Sequence, residues 1–233
     1  DVYKRQAADY AAALEMLHCY SLIHDDMPCM DNDDYRRGRL SCHKQYGEAT
    51  ALLAADALVT AAFEAVANAP TQPQSRVQAA AHLAKAAGAR GMLYGQELDK
   101  HYETVRASES ELLELHAHKT GALIIAGVDL GCDAAQADDA LRTALQHYAA
   151  ELGLVFQIVD DILDVTATTE ELGKPVGSDV ENDKTTFITL YGLEGARALA
   201  KQHNDAALAA LADLGPEADF LREMAVELLI RSK

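Results

Sequence analysis

Residues 156–165 read FQIVDDILDV, three aspartates set inside an apolar run. Asp160 and Asp164 are four apart, so on a helix they share one face, and taking an uncompensated carboxylate out of water is costly. Such a face must meet water, a partner charge or a metal ion. A second acidic group lies at 24–39, HDDMPCMDNDDYRRGR, where Asp25, Asp26, Asp31, Asp33 and Asp34 fall within ten residues and Arg36, Arg37 and Arg39 follow directly. Five crowded carboxylates repel one another unless they are solvated, protonated or bound to metal. Guanidinium forks match phosphate oxygens, while Mg²⁺ binds through one or two carboxylates and takes substrate phosphates as further ligands. The joint reading is a Mg²⁺-diphosphate site. Alone, 24–39 reads equally as a solvated charged loop; the aspartates at 160–164 decide between the two.

The rest of the chain reads as helix. Ala-rich segments place apolar residues three and four apart, and alternating β-branched runs are absent. The pattern predicts helices from about Ala7 to Met27, from Gly47 into the 60s, from Ser75 to about Tyr94 and from Glu109 to about Gly131, the last opened by a Ser108/Glu111 capping box. Further helices are predicted from about Ala137 to Thr166, Lys184 to Tyr191, Leu193 to Leu214 and Glu217 to Ile230, with 167–183 a polar, Gly-containing connection. Pro28 ends the first helix. That break matters, because Asp25 and Asp31 would sit on different faces of a continuous helix, whereas a loop can fold Asp31 back beside Asp25.

The order DDxxxxD, RRG and FQxxDDxLD, together with CHKQYGEA, GQELD, HKTGAL, LGKPVGSD and NDKTTF, resembles the trans-isoprenyl diphosphate synthases over nearly the whole chain, and most closely their bacterial farnesyl diphosphate synthases. The resemblance implies an all-α, isoprenoid-synthase-type bundle of antiparallel helices around a central cavity, formed as one domain over 1–233. It implies three Mg²⁺ ions, two held by Asp25 and Asp31 with Asp26 close by, and a third by Asp160 with Asp164; Asp161 belongs to the same catalytic group. Arg36, Lys119, Thr120, Gln157 and Lys174 match positions that hold the allylic diphosphate. His18 and Arg37 match positions for isopentenyl diphosphate, and Lys184 falls in a basic lid segment. Tyr20 and Ser21, five and four residues before the first aspartate, correspond to the floor of the chain-elongation tunnel and imply a fifteen-carbon product; a geranylgeranyl diphosphate synthase is the alternative. A homodimer is also implied. The family's opening helices, with their GGKxxRP-type segment, have no counterpart in these residues, so activity of the chain as it stands is an open expectation.

Other classes fit less well. A net charge of −17 and a pI near 4.8 disfavour nucleic acid as a partner. Cys19, Cys29, Cys42 and Cys132 form no CxxC pair and fit reduced thiols in a cytoplasmic protein. The sequence shows neither a signal peptide nor a stretch expected to span a membrane. Glu15 and His18 make one ExxH where a di-iron bundle needs two, and DNDDYRR lacks the glycine and closing glutamate of a calcium loop. His116 and His118, two apart, read as surface histidines. A non-catalytic partner subunit would have lost the aspartates that are present here.

Overall fold

Helix carries nearly all of the residues described by the computed structural model, which are 2–166 and 184–231. Helix α1 (Val2–Asp25) lies along α3 (Glu48–Asn68) and α7 (Ala122–Ala135), and α4 (Pro73–Ala87) packs on α7. Helix α8 (Asp139–Thr166) lies along α9 (Phe187–Ala210), and α10 (Asp219–Ile230) packs on both. Alanine makes these approaches close: Ala13, Ala55, Ala62, Ala196 and Ala207 are wholly buried at the crossings. One core, around Tyr10, Leu17, Val66 and Leu83, joins α1, α3, α4 and α7; another, around Val155, Ile158 and Phe187, joins α8 and α9. A third, around Tyr148 and Leu211, seats α10.

The break after α1 behaves as its proline requires. Past Pro28 the chain turns back, and the Asp31 amide donates to the Asp25 carbonyl at 2.9 Å. The turn is followed by a small hairpin of β1 (Tyr35–Arg36) and β2 (Arg39–Leu40), with Tyr35 opposite Leu40. Both turn residues, Arg37 (φ 52°) and Gly38 (φ 74°), are left-handed, as a two-residue hairpin turn favours. This hairpin and the short α2 (Cys42–Tyr46) were not foreseen, because two-residue strands carry no periodicity.

The helix expected from Ser75 to Tyr94 is two helices. Helix α4 ends at Ala87, and α5 (Met92–Tyr102) starts after a turn at 88–91. A Cβ on Gly91 would lie 2.1 Å from the Ala86 carbonyl oxygen, so the turn depends on that glycine. The helix expected over 109–131 begins with the expected capping box, the Ser108 amide donating to Glu111 Oε2 at 2.7 Å. It then divides into α6 (Glu109–His116), a π-helical turn at Ala117–Gly121 and α7. The boundary expected at Tyr191–Leu193 is a kink inside α9 at Gly192 (φ 69°). By length and composition alone α3, at 21 residues, is long and apolar enough to cross a membrane, its many alanines diluting Asp56 and Glu64. Only one side of it is covered, and Leu52 and Leu53 stay exposed.

Candidate active site

The π turn sets the centre of the site. A π turn adds one residue to a helical turn and recurs at functional positions; here it contains Lys119 and Thr120. Helix α5 crosses it so closely that a Cβ on Gly95 would meet the Lys119 backbone nitrogen at 2.1 Å. One and four residues on, Gln96 and Asp99 consequently face Lys119 and the end of α1. Gln96 Nε2 donates to Asp25 Oδ1 at 2.6 Å. Lys119 Nζ donates to Asp99 Oδ2 at 2.5 Å and lies 4.0 Å from Asp25 Oδ2, and Lys184 Nζ lies 3.9 Å from Asp99 Oδ1.

Charges alternate through this group, and the titration directions follow. Burial works to raise the Asp99 pKa, but Lys119 and Lys184 outweigh it and hold the carboxyl below its ordinary value. Burial works to lower Lys119, and Asp99 and Asp25 outweigh it and raise the ammonium. Asp25 is itself raised by burial, with Lys119 only partly compensating and Asp31 adding to the rise. Beside it, single carboxylate oxygens of Asp31, Asp99 and Glu103 lie within 4.8 Å of one another. Lys100 Nζ bridges two of the three, 2.7 Å from Glu103 and 3.4 Å from Asp31.

The opposite wall is α8. A cleft of about 240 Å³ runs between it, α5, α6 and the start of α9, with Asp99, Lys119 and Lys184 facing Gln157, Asp160 and Asp164. Thr120 Oγ1 donates to Gln157 Oε1, tying the π turn to α8. Asp160 is paired with Arg231, just past α10. Asp161 accepts from the Phe187 amide at 2.7 Å and so holds the first turn of α9. Asp164 is different: it is buried, and neither carboxylate oxygen has a hydrogen-bond partner. A buried, unpartnered carboxylate and three converging carboxylates are donor sets that fit a hard divalent cation.

The expected site residues therefore divide. Asp25, Asp31, Lys119, Thr120, Gln157, Asp160, Asp161, Asp164 and Lys184 gather on these two walls. Asp26 is buried and bound by Arg36, whose Nε donates to Oδ1 at 2.9 Å, so each occupies the other. Arg37 is exposed on the hairpin turn. His18 is half-buried on α1, where its carbonyl accepts from Ser21 Oγ at 2.8 Å. Tyr20 is in the core with Leu17 and Ala55, its hydroxyl donating to the Ala87 carbonyl at 3.4 Å. Lys174 lies outside the described residues. His116 is not the surface histidine expected. Burial lowers its pKa to about 4, it stacks on Phe187, and neither ring nitrogen has a partner. Gln96, Asp99 and Arg231 were missed; the glycine, amide and acid of GQELD were a readable signal for the first two, and a near-terminal arginine gave none.

A family model described as Polyprenyl synthetase matches residues 2–215. The farnesyl diphosphate synthase of Micrococcus luteus is 43% identical over 224 residues, 96% of this chain and 77% of that protein. The chloroplastic geranylgeranyl pyrophosphate synthase of Capsicum annuum is 47% identical over 197 residues, 83% of this chain and 53% of that one. The Helicobacter pylori geranyltransferase structure complexed with magnesium and isoprenyl diphosphate superposes with a TM-score of 0.84 at 40% identity, covering 95% of this chain and 73% of that one. Fold, paired acidic walls and relatives converge, and the chain belongs to the polyprenyl synthetase family.

Proposed function

We propose that the chain joins isopentenyl diphosphate head to tail (1′-4) with dimethylallyl or geranyl diphosphate to give farnesyl diphosphate. The observation that carries this reading is the cleft in which Asp99, Lys119 and Lys184 face Asp160 and Asp164, with Asp25 4.0 Å from Lys119 and Asp31 beside Asp99 at its edge. Asp25 and Asp31, with Asp26 close by, would hold two Mg²⁺ ions and Asp160 with Asp164 a third, as the sequence resemblance implies; Asp99, whose carboxylate converges on that of Asp31, would join the first group. Held by these carboxylates, Mg²⁺ would supply neutralisation of the diphosphate's developing negative charge. Lys119 and Lys184 add fixed positive charge at the same place, the kind of preorganised stabilisation that dominates such reactions. Ionisation of the allylic C–O bond leaves an allylic cation; the double bond of isopentenyl diphosphate attacks it, and a proton is lost to the departed diphosphate. Thr120 and Gln157, bonded to each other, fix the π turn against α8 and so fix Lys119 relative to Asp160. Leu112 and Leu115 of α6 give the cleft an apolar side against which the cation's hydrocarbon chain would lie.

The relatives named as geranylgeranyl synthases favour a second reading, a twenty-carbon product, and Tyr20 bears on it. Its ring is buried at the base of α1, and as a tunnel floor it would stop growth early. For assembly, the exposed Leu52 and Leu53 face of α3 supports a homodimer formed across that helix. One domain over 1–233 accords with the family match, and four free thiols accord with a reducing, cytoplasmic setting. The reading is tested by Asp99→Asn and Asp25→Asn: each should raise the Mg²⁺ requirement and cut turnover by at least about tenfold, as loss of a charged site ligand does. Unchanged Mg²⁺ dependence in both would refute it.

A further inference from the structure

We propose that Arg231 is the resident counter-cation of Asp160, and that a divalent ion reaching Asp160 has to displace it, so that this arginine sets the metal affinity of the α8 wall. The inference rests on the reading of the site given above and extends it to a residue outside the aspartate motifs.

One turn of α8 builds the whole seat. The terminal Nη2 of Arg231 donates to Asp160 Oδ1 and, at 3.1 Å, to the Phe156 carbonyl, four residues earlier on the same face. The guanidinium carbon lies 4.3 Å above the centre of the Phe156 ring, within cation–π range. The seat is incomplete, however. Nε of Arg231 is buried and has no hydrogen-bond partner, so the site uses the charge of the guanidinium and leaves part of its donor set unmet. An arginine in its preferred permanent site would make a bidentate pair; this one makes a contact that another cation can replace.

The exchange is energetically open. The side chains are 21% and 44% exposed, so water screens the pair and its strength is that of a partly exposed salt bridge. A divalent ion brings twice the charge and also reaches Asp164, whose two unpartnered oxygens lie on the same helix face at i, i+4 from Asp160. Lys184 lines the same cleft and lies 3.9 Å from Asp99, so Arg231 is not the sole cation near this wall, and its removal leaves other positive charge in place. The expected effect is correspondingly modest: removing Arg231 tightens metal binding up to about fivefold, the range that a pair of this exposure spans.

The probe is Mn²⁺, titrated by electron paramagnetic resonance into the wild-type chain, Arg231→Leu, Arg231→Lys, Asp160→Asn and the Arg231→Leu/Asp160→Asn double variant. Arg231→Leu should bind Mn²⁺ more tightly and melt at a lower temperature without metal, and Arg231→Lys should behave close to wild type. The gain should vanish in the Asp160→Asn background, because the coupling runs through that carboxylate. Equal or weaker Mn²⁺ binding by Arg231→Leu, or the same gain with Asp160 removed, overturns the exchange. A second measurement needs no variant: in the wild-type chain the Arg231 guanidinium NMR signals should move on adding Mg²⁺ with inorganic diphosphate, and unmoved signals at saturation overturn it as well. Failure of the wild-type chain to bind Mn²⁺, even with inorganic diphosphate present, would instead remove the reading of the site itself.

Discussion

Replacing Gly95 with alanine tests whether the crossing of α5 over the π turn is what holds Lys119 in place. The added methyl carbon would stand 2.1 Å from the Lys119 nitrogen, 2.4 Å from its Cα and 2.7 Å from the His118 carbonyl carbon. All three are backbone atoms, so no side chain can rotate away. Carbon contacts settle near 3.5–4.0 Å, and the two elements must separate by about 1 Å or more. Alanine gains about 1 kcal/mol over glycine in helix propensity, while overpacking of this kind costs roughly 1–3 kcal/mol. The steric cost wins, because the neighbours are fixed backbone on both sides. We expect net destabilisation of up to about 2 kcal/mol, a fall of up to roughly 8 °C in melting temperature. The larger effect is on function. A displacement of about 1 Å at a positioned catalytic group can cost about a hundredfold, and Lys119 would leave both Asp99 and Asp25. Calorimetry and a steady-state condensation assay read both quantities. Gly131→Ala is the control: a Cβ there meets nothing within 4 Å, so it should be neutral or stabilising. Wild-type melting and turnover in Gly95→Ala would refute the argument.

Three further outcomes follow from the same geometry. His116 has a folded-state pKa of about 4 against an ordinary 6.5, so between those values the unfolded chain binds the extra proton; stability should fall as pH drops from 6.5 towards 4, by up to about 3 kcal/mol, and His116→Phe should flatten that slope in pH-dependent melting curves. Asp164→Asn removes a buried charge with no partner, so the metal-free protein should melt a few degrees higher while losing affinity for Mg²⁺ with inorganic diphosphate; a lower melting point would show that the carboxylate is satisfied in a way the geometry does not contain. Tyr20→Ala should lengthen the main product, read by chromatography of the dephosphorylated prenols, and an unchanged product would assign Tyr20 to core packing alone.

Much of the fold was legible because helical periodicity and punctuation are local properties. The capping box at Ser108 and Glu111, the stop at Pro28 and the kink at Gly192 were all readable as short-range chemistry. The single helix expected over 75–94 shows the limit: Gly88 and Gly91 lie within it, but only the carbonyl of Ala86 pressing on Gly91 turns them into a break. The π turn had no sequence signature: it lies where Gly95 of α5 crosses Lys119 and His118, residues more than 20 positions away in the chain. At the site, Asp160, Asp161 and Asp164 announced themselves by being out of place in an apolar helix. Asp99 stands in a polar stretch where an acid needs no special reason, and only its place in GQELD marks it. His116 was misread for the converse cause, its burial being decided by Phe187 and by helices distant in sequence. Arg231 lies 71 residues from its partner, and nothing local marks it.

The most direct test is the reaction itself. The chain, and the same chain extended at its front with the opening helices that the sequence resemblance implies, would be incubated with isopentenyl and dimethylallyl diphosphates and Mg²⁺, and the released prenols identified after phosphatase treatment. Farnesol formed only when Mg²⁺ is present, and lost in Asp25→Asn and Asp99→Asn, is the predicted result. No prenol from either form, with Mg²⁺ and inorganic diphosphate still bound, would contradict the assignment of this cleft as a condensing site.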